Sequence, residues 1–151
     1  MSIAETSNSN IYQKILTSCV CHNTKKATRT LTNLYDRALV STNINSGQFS
    51  ILLKINALNH PTLNTLAEEL NLKNSTISRA LSPLERDNLI IITSGTDKRT
   101  RCVKLSEIGQ LTLKKALPLW ETAQKQVFRN VPTESLEQLI KNLDTLSKIE
   151  Y

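Results

Sequence analysis

Two short helical patterns separated by only three residues constrain this chain more than any other feature in it. LNTLAEEL, residues 63–70, places Leu66, Ala67 and Leu70 on one face, with Thr62 or Asn64 available to cap its start. Asn71, Leu72 and Lys73 follow, and Ile77, Leu81 and Leu84 then repeat at steps of four and three behind Asn74 or Ser75 as N-cap. Asparagine is one of the few residues besides glycine that tolerates left-handed backbone, so Asn71 suits the corner and Leu72 is expected to plug it. Two short helices joined by so tight a turn form a helix-turn-helix, whose second helix can enter the major groove of DNA.

After Asn88 the pattern changes. Leu89 to Thr93 is a β-branched run, Ser94-Gly95-Thr96-Asp97 has turn chemistry, and Cys102 to Leu105 alternates again, which reads as a β-hairpin. A helix-turn-helix followed by such a hairpin is a winged helix. Charge supports a polyanionic partner: residues 73–104 hold Lys73, Arg79, Arg86, Lys98, Arg99, Arg101 and Lys104 against Glu85, Asp87 and Asp97, most of the chain's net +6. A solvated basic face without a partner is the plainer reading of the charge by itself.

The flanks are helical. Ile11, Ile15, Val20, Ala27, Leu31, Leu34 and Ala38 predict one long amphipathic helix from Ile11 to Val40, after a polar stretch, residues 1–10, expected to fray or form an arm. Phe49, Leu52, Leu53 and Leu58 mark another helix, ended at Asn59 to Pro61. Ile108, Leu113, Ala116, Trp120, Ala123 and Val127 form a stripe that Pro118 should kink, and Leu136, Leu139, Leu143 and Leu146 form a last one. At 151 residues and 39% hydrophobic content, one domain over 1–151 is expected, with the winged helix at about 46–105. The stripes at about 11–40 and 106–151 exceed what that unit needs, so they are expected to bury against a second copy as dimerisation helices. No apolar run approaches the roughly 18 residues of a membrane span and the first 25 residues lack a signal-peptide core, so a soluble, cytoplasmic protein without membrane contact is expected.

The run from Leu63 to Gln110 resembles the core of the MarR family of bacterial transcription regulators, with its LA-x-x-L, ST-x-SR-x-L-x-x-LE, D-x-R and LT-x-x-G segments. Leu66, Ala67, Leu70, Ser75, Thr76, Ser78, Arg79, Leu81, Leu84, Glu85, Asp97, Arg99, Leu105 and Gly109 match in order. The resemblance implies a mainly α fold, a winged helix-turn-helix with a small hairpin wing and N- and C-terminal dimerisation helices, acting on double-stranded DNA as a homodimer. Three positions depart from the pattern: Pro83 inside the recognition helix, Asn88 where glycine often ends it, and Ser106 in place of threonine.

Asn74, Ser75, Thr76, Ser78 and Arg79 occupy the first turns of the recognition helix, where hydroxyls approach phosphates and bases and Arg79 offers a fork suited to guanine. Ser75 as a mere cap and Thr76 as mere packing are the structural alternatives. By resemblance Arg99 reaches the minor groove from the wing tip and Asp97 orients the loop, while Lys98 and Arg101 add phosphate contacts; for Lys98 a solvated loop charge is the alternative.

Enzyme readings find little purchase: there is no Gly-rich phosphate loop, no paired-carboxylate site, and only His22 and His60 as imidazoles. No cofactor or metal is implied, since Cys19 and His22 share a helix face but two ligands make no zinc site. Cys19 and Cys21, two apart on one helix, face different directions and do not bridge each other. Two readings of them stay open: packing at a subunit interface, and an oxidant sensor of the kind some MarR-like regulators carry. The resemblance also implies a small aromatic or anionic effector, bound in the crevice between dimerisation helices and winged helix. Tyr35, Phe49 and Trp120 are the candidate walls, although core packing accounts for each. The function expected is therefore a sequence-specific regulator, a repressor released by a ligand or by cysteine oxidation. The alternative is an architectural protein that binds DNA without sequence preference.

Overall fold

The computed structural model of the protein describes residues 3–95 and 100–150, with side chains from Asn10 onward. The elements in chain order are α1 (Ile3–Ser18), α2 (Val20–Leu39), a short 3-10 turn (Val40–Thr42), α3 (Ser46–Leu58), α4 (Leu63–Glu69), α5 (Asn74–Arg86), β1 (Ile90–Ser94), β2 (Arg101–Leu105), α6 (Glu107–Asn130) and α7 (Thr133–Ser147).

The first expected helix is two helices, and residues 3–10, expected as a frayed arm, belong to α1. Cys19 leaves helical geometry at φ −71°, ψ 112° and becomes the N-cap of α2, its sulfur accepting the His22 amide at 3.4 Å. The local sequence competes with the helix: the Thr17 and Ser18 hydroxyls turn back onto carbonyls of the preceding turn. The Asn23 side-chain amide then covers the frayed end, donating to the carbonyls of Leu16, Thr17 and Cys19.

Residues 46–105 build the core. Asn45 and Gln48 form a reciprocal capping box at the start of α3, and Thr62 caps α4 by accepting the Thr65 amide. Leu39, Leu52, Ile55, Leu66, Ile77, Leu81, Leu84 and Val103 are wholly enclosed, so α3, α4, α5 and the hairpin share one core with the end of α2 and the start of α6. Phe49 is buried there and stacks on Trp120 of α6 with ring centroids 6.4 Å apart.

Two asparagines end the paired helices in the same way. Asn71 (φ 51°) closes α4, with its amide on the Glu68 carbonyl and that of Leu72 on Ala67, and Asn88 (φ 56°) closes α5, with its amide on Glu85 and that of Leu89 on Leu84. Both are Schellman closures with asparagine in the place of glycine. Leu72 does not plug the corner; it is 38% exposed, because backbone hydrogen bonds already close the turn. Helix α5 runs unbroken through Pro83, and α6 through Pro118.

The hairpin pairs Ile90 with Leu105 through Ser94 with Arg101, and its open end is closed by the Gly95 amide on the Thr100 carbonyl at 2.6 Å. A bridge from Thr62 to Cys102 and the Val103 amide on the Pro61 carbonyl tie β2 to the start of α4. At the base of the hairpin, Gly109 of α6 lies so close to Leu89 that a Cβ would stand 1.9 Å from the Leu89 carbonyl oxygen. The Ser106 amide donates to the same carbonyl at 3.1 Å and its hydroxyl donates to the Asn88 carbonyl at 2.5 Å.

Outside this core, apolar side chains face solvent. Leu139, Ile140, Leu143 and Leu146 of α7 are 40–58% exposed, and Ile11, Tyr12 and Ile15 of α1 are exposed as well. Among the described residues no helix is long and apolar enough to cross a membrane.

Candidate nucleic-acid interface

Helix α5 is strictly two-sided. Ile77, Leu81 and Leu84 are buried, while Asn74, Ser75, Thr76, Ser78 and Arg79 are all exposed. The expected N-cap moves back by one residue: Lys73 holds that position with extended backbone, Asn74 is the first helical residue, and no side chain caps the start. The Thr76 amide turns back onto the Lys73 carbonyl at 2.8 Å, and the amides of Asn74 and Ser75 are left without a capping side chain at the positive end of the helix dipole, which favours an anion. Ser78 donates its hydroxyl to the Asn74 carbonyl at 2.9 Å, leaving its oxygen to accept. Arg79 makes no ion pair among the described residues, whereas Arg86 is tied to Asp87 at 3.1 Å. The Arg79 fork is therefore open to an external acceptor.

Lys98 and Arg99, with Asp97, lie outside the described residues. Arg101 is exposed at the first position of β2 and lines a cleft of about 180 Å³ with Thr62, Leu63, Asn64 and Thr100. Those neighbours carry no sequence signal, since it is the Thr62–Cys102 bridge and the Val103–Pro61 hydrogen bond that bring the start of α4 against the wing.

The other candidates do not converge. Phe49 is interior, and Trp120 stacks on it while lining a shallow cleft of α6 with Phe128. Tyr35 alone lines the crevice of about 520 Å³ between α2 and the start of α3, together with Leu31, Asp36 and Ser46. Asp36 accepts the Ser46 amide there at 2.7 Å, and the Tyr35 hydroxyl donates to Gln124 of α6. Burial raises the Tyr35 phenol above its ordinary value. Cys19 is half-buried and Cys21 exposed, and neither forms a disulfide. The expectation that they share one helix does not hold, because Cys19 is a cap at the α1–α2 break and Cys21 belongs to the first turn of α2. Among the described residues no group of three or more His, Cys, Asp or Glu side chains is placed to hold a metal.

Known proteins share this arrangement. The MarR family profile matches residues 44–100, from the end of the 3-10 turn to the wing. An HTH-type transcriptional regulator of Bacillus cereus is 30% identical over 102 residues, 68% of this chain and 68% of its own length. The chain belongs to the MarR family. It is a transcriptional regulator that binds DNA, and members of this family are not enzymes. Among solved structures, the M. tuberculosis transcriptional regulator MosR in complex with DNA is 32% identical with a TM-score of 0.78, over 87% of this chain and 97% of its own. The organohalide-sensing transcriptional regulator RdhR, in its ligand-free form, is 28% identical with a TM-score of 0.78, over 87% of this chain and 79% of its own.

Proposed function

We propose that this MarR-family regulator acts as a homodimeric repressor that reads a specific, pseudo-palindromic duplex site. The observation that carries the reading is the two-sided α5, whose buried Ile77, Leu81 and Leu84 fix the helix while an uncapped start and Arg79 face outward. In this reading Arg79 takes a guanine edge in the major groove, Asn74, Ser75, Thr76 and Ser78 contact bases and phosphates, and Arg101 takes a backbone phosphate. Lys98 and Arg99 contribute from the wing, Arg99 in the minor groove. The apolar faces of α1 and α7, with α2 and α6, join two copies as dimerisation helices and set the half-sites about one helical turn apart.

Release has two supported routes. A small aromatic or anionic effector fits the crevice beside Tyr35, where a ligand between α2 and α3 would bias the spacing of the recognition helices. The RdhR neighbour is itself an organohalide sensor. The second route is oxidation: Cys19 caps α2 through its sulfur, so converting that thiol to a sulfenic acid alters the α1–α2 corner. Selection of bound fragments from the source genome, followed by competition with unrelated duplex, tests the main reading. The Arg79→Ala variant should lose on the order of 1–3 kcal/mol on the selected site and discriminate less. Equal binding of all duplexes by the parent would replace the reading with an architectural, sequence-blind one.

A further inference from the structure

The base of the wing holds a cavity of about 450 Å³ on the side of the hairpin remote from its turn, within the size range of small-molecule sites. Three parts of the chain converge on it: Asn56 and His60 from the end of α3 and the following loop, Ile91 and Lys104 from a facing pair in the hairpin, and Glu107 and Gln110 from the first turn of α6. The frame is fixed. Pro61 is buried with its carbonyl on the Val103 amide, and the Ser106 backbone is bonded to Leu89. That frame also holds Asn59 and His60 in successive left-handed conformations, φ 49° and φ 67°, immediately before a proline. For a histidine this is a costly geometry, kept only where the surroundings impose it, and it turns a loop imidazole to the rim of the cavity.

The charges in the cavity are opposite, and neither is ion-paired among the described residues. Lys104 and Glu107 both line it, yet the ion pairs among the described residues are Lys54–Glu69, Arg86–Asp87 and Lys148–Asp144. A polar wall that carries one ammonium and one carboxylate, above a buried apolar floor of Ile55 and Leu105 with the exposed Ile91 at its side, is complementary to a molecule with one carboxylate, one ammonium and a short apolar side chain. We infer that this cavity is an effector site for a free apolar α-amino acid, its carboxylate on Lys104 and His60 and its ammonium on Glu107. The site is separate from the crevice beside Tyr35, and an occupant bridges the wing to the helix that leads to the dimer face.

Calorimetric titration of the full chain with L-leucine and L-phenylalanine tests this without DNA, so its outcome is independent of the operator reading. At least one should bind saturably at concentrations up to about 10 mM. Two leucine fragments, 4-methylpentanoate without the amine and 3-methylbutylamine without the carboxylate, should each bind about tenfold or more weaker. Lys104→Gln and Glu107→Gln, both with unchanged melting temperature, should weaken the amino acid by a similar factor, while Lys148→Gln, remote from the cavity, should not. Absence of binding by both amino acids overturns the inference. So does binding that survives both substitutions, and so does 4-methylpentanoate binding as well as leucine, which would make the cavity an anion site.

Discussion

Replacing Gly109 by alanine sets two effects of opposite sign against each other, and the structure decides between them. In an open helical position the change gains about 1 kcal/mol from helix propensity. Here the added Cβ would lie 1.9 Å from the Leu89 carbonyl oxygen and 2.9 Å from its carbon, and both are backbone atoms with no rotamer to yield. To restore contact distance, the first turn of α6 must retreat from Leu89 by more than an ångström. That retreat stretches the 3.1 Å Ser106–Leu89 bond and the 2.5 Å Ser106–Asn88 bond. Overpacking of this kind costs about 1–3 kcal/mol, and each lost hydrogen bond about 0.5–1.5 kcal/mol. After the propensity gain, the net destabilisation is about 3 kcal/mol, a fall in Tm of about 6–12 °C for a chain of this size.

Gly47→Ala is the internal control, because its Cβ would meet only the Asn45 side-chain oxygen at 3.3 Å. Thermal denaturation of both variants is the assay, at one protein concentration since a dimer's Tm depends on it. Gly47→Ala should lie within about 1 kcal/mol of the parent, well separated from Gly109→Ala. A Gly109→Ala variant as stable as the parent, or more stable, would overturn this prediction. It would mean that α6 and Leu89 are not locked at this contact.

Leu143→Glu on the exposed face of α7 should shift the dimer toward monomer by at least about tenfold in dissociation constant, read by sedimentation equilibrium, with helical content retained. Tyr35→Phe removes the hydroxyl bonded to Gln124 and should cost about 1 kcal/mol in denaturant titration. Because burial raises the Tyr35 phenol above 10.0, the folded state keeps a proton that the unfolded chain releases. Its contribution is intact below pH 10.0 and is lost as pH rises beyond it, a fall that Tyr35→Phe should flatten. If oxidation releases DNA, peroxide should weaken operator binding by the parent but not by the Cys19→Ser, Cys21→Ser double variant; equal loss in both would end that route.

How far the fold could be read from sequence depended on whether a feature was local. The turn between α4 and α5 was legible because Asn71 signals its own left-handed corner, and Asn88 does the same beside a resemblance that expects glycine. The break at Cys19 was not legible, since apolar spacing continues through it from Ile15 to Ala27 and only hydroxyl competition marks the corner. Tyr35, Phe49 and Trp120 looked alike as aromatic candidates, but what separates them is which surface each helix buries, a tertiary property. The recognition face of α5 was legible because a three-turn helix has only two faces and the core claims one of them.

The contact at Leu89 gives the arrangement a mechanical consequence. Leu89 follows the closure of α5 directly, and α6 grips it through Gly109 and Ser106 with backbone atoms on both sides. The end of the recognition helix and the start of α6 are therefore joined through backbone contacts, and α6 in turn carries Gln124, the acceptor of the Tyr35 hydroxyl on α2. A signal that changes how α2 sits on α6 need not travel through the wing to reach α5. The wing-base cavity is lined by Glu107 and Gln110 of α6, whereas the Tyr35 crevice is lined by α2 and the start of α3 and is tied to α6 through the Tyr35–Gln124 hydrogen bond. A ligand in either would act on contacts that α6 makes, and any coupling between the two is reciprocal, each changing the other's affinity by the same factor.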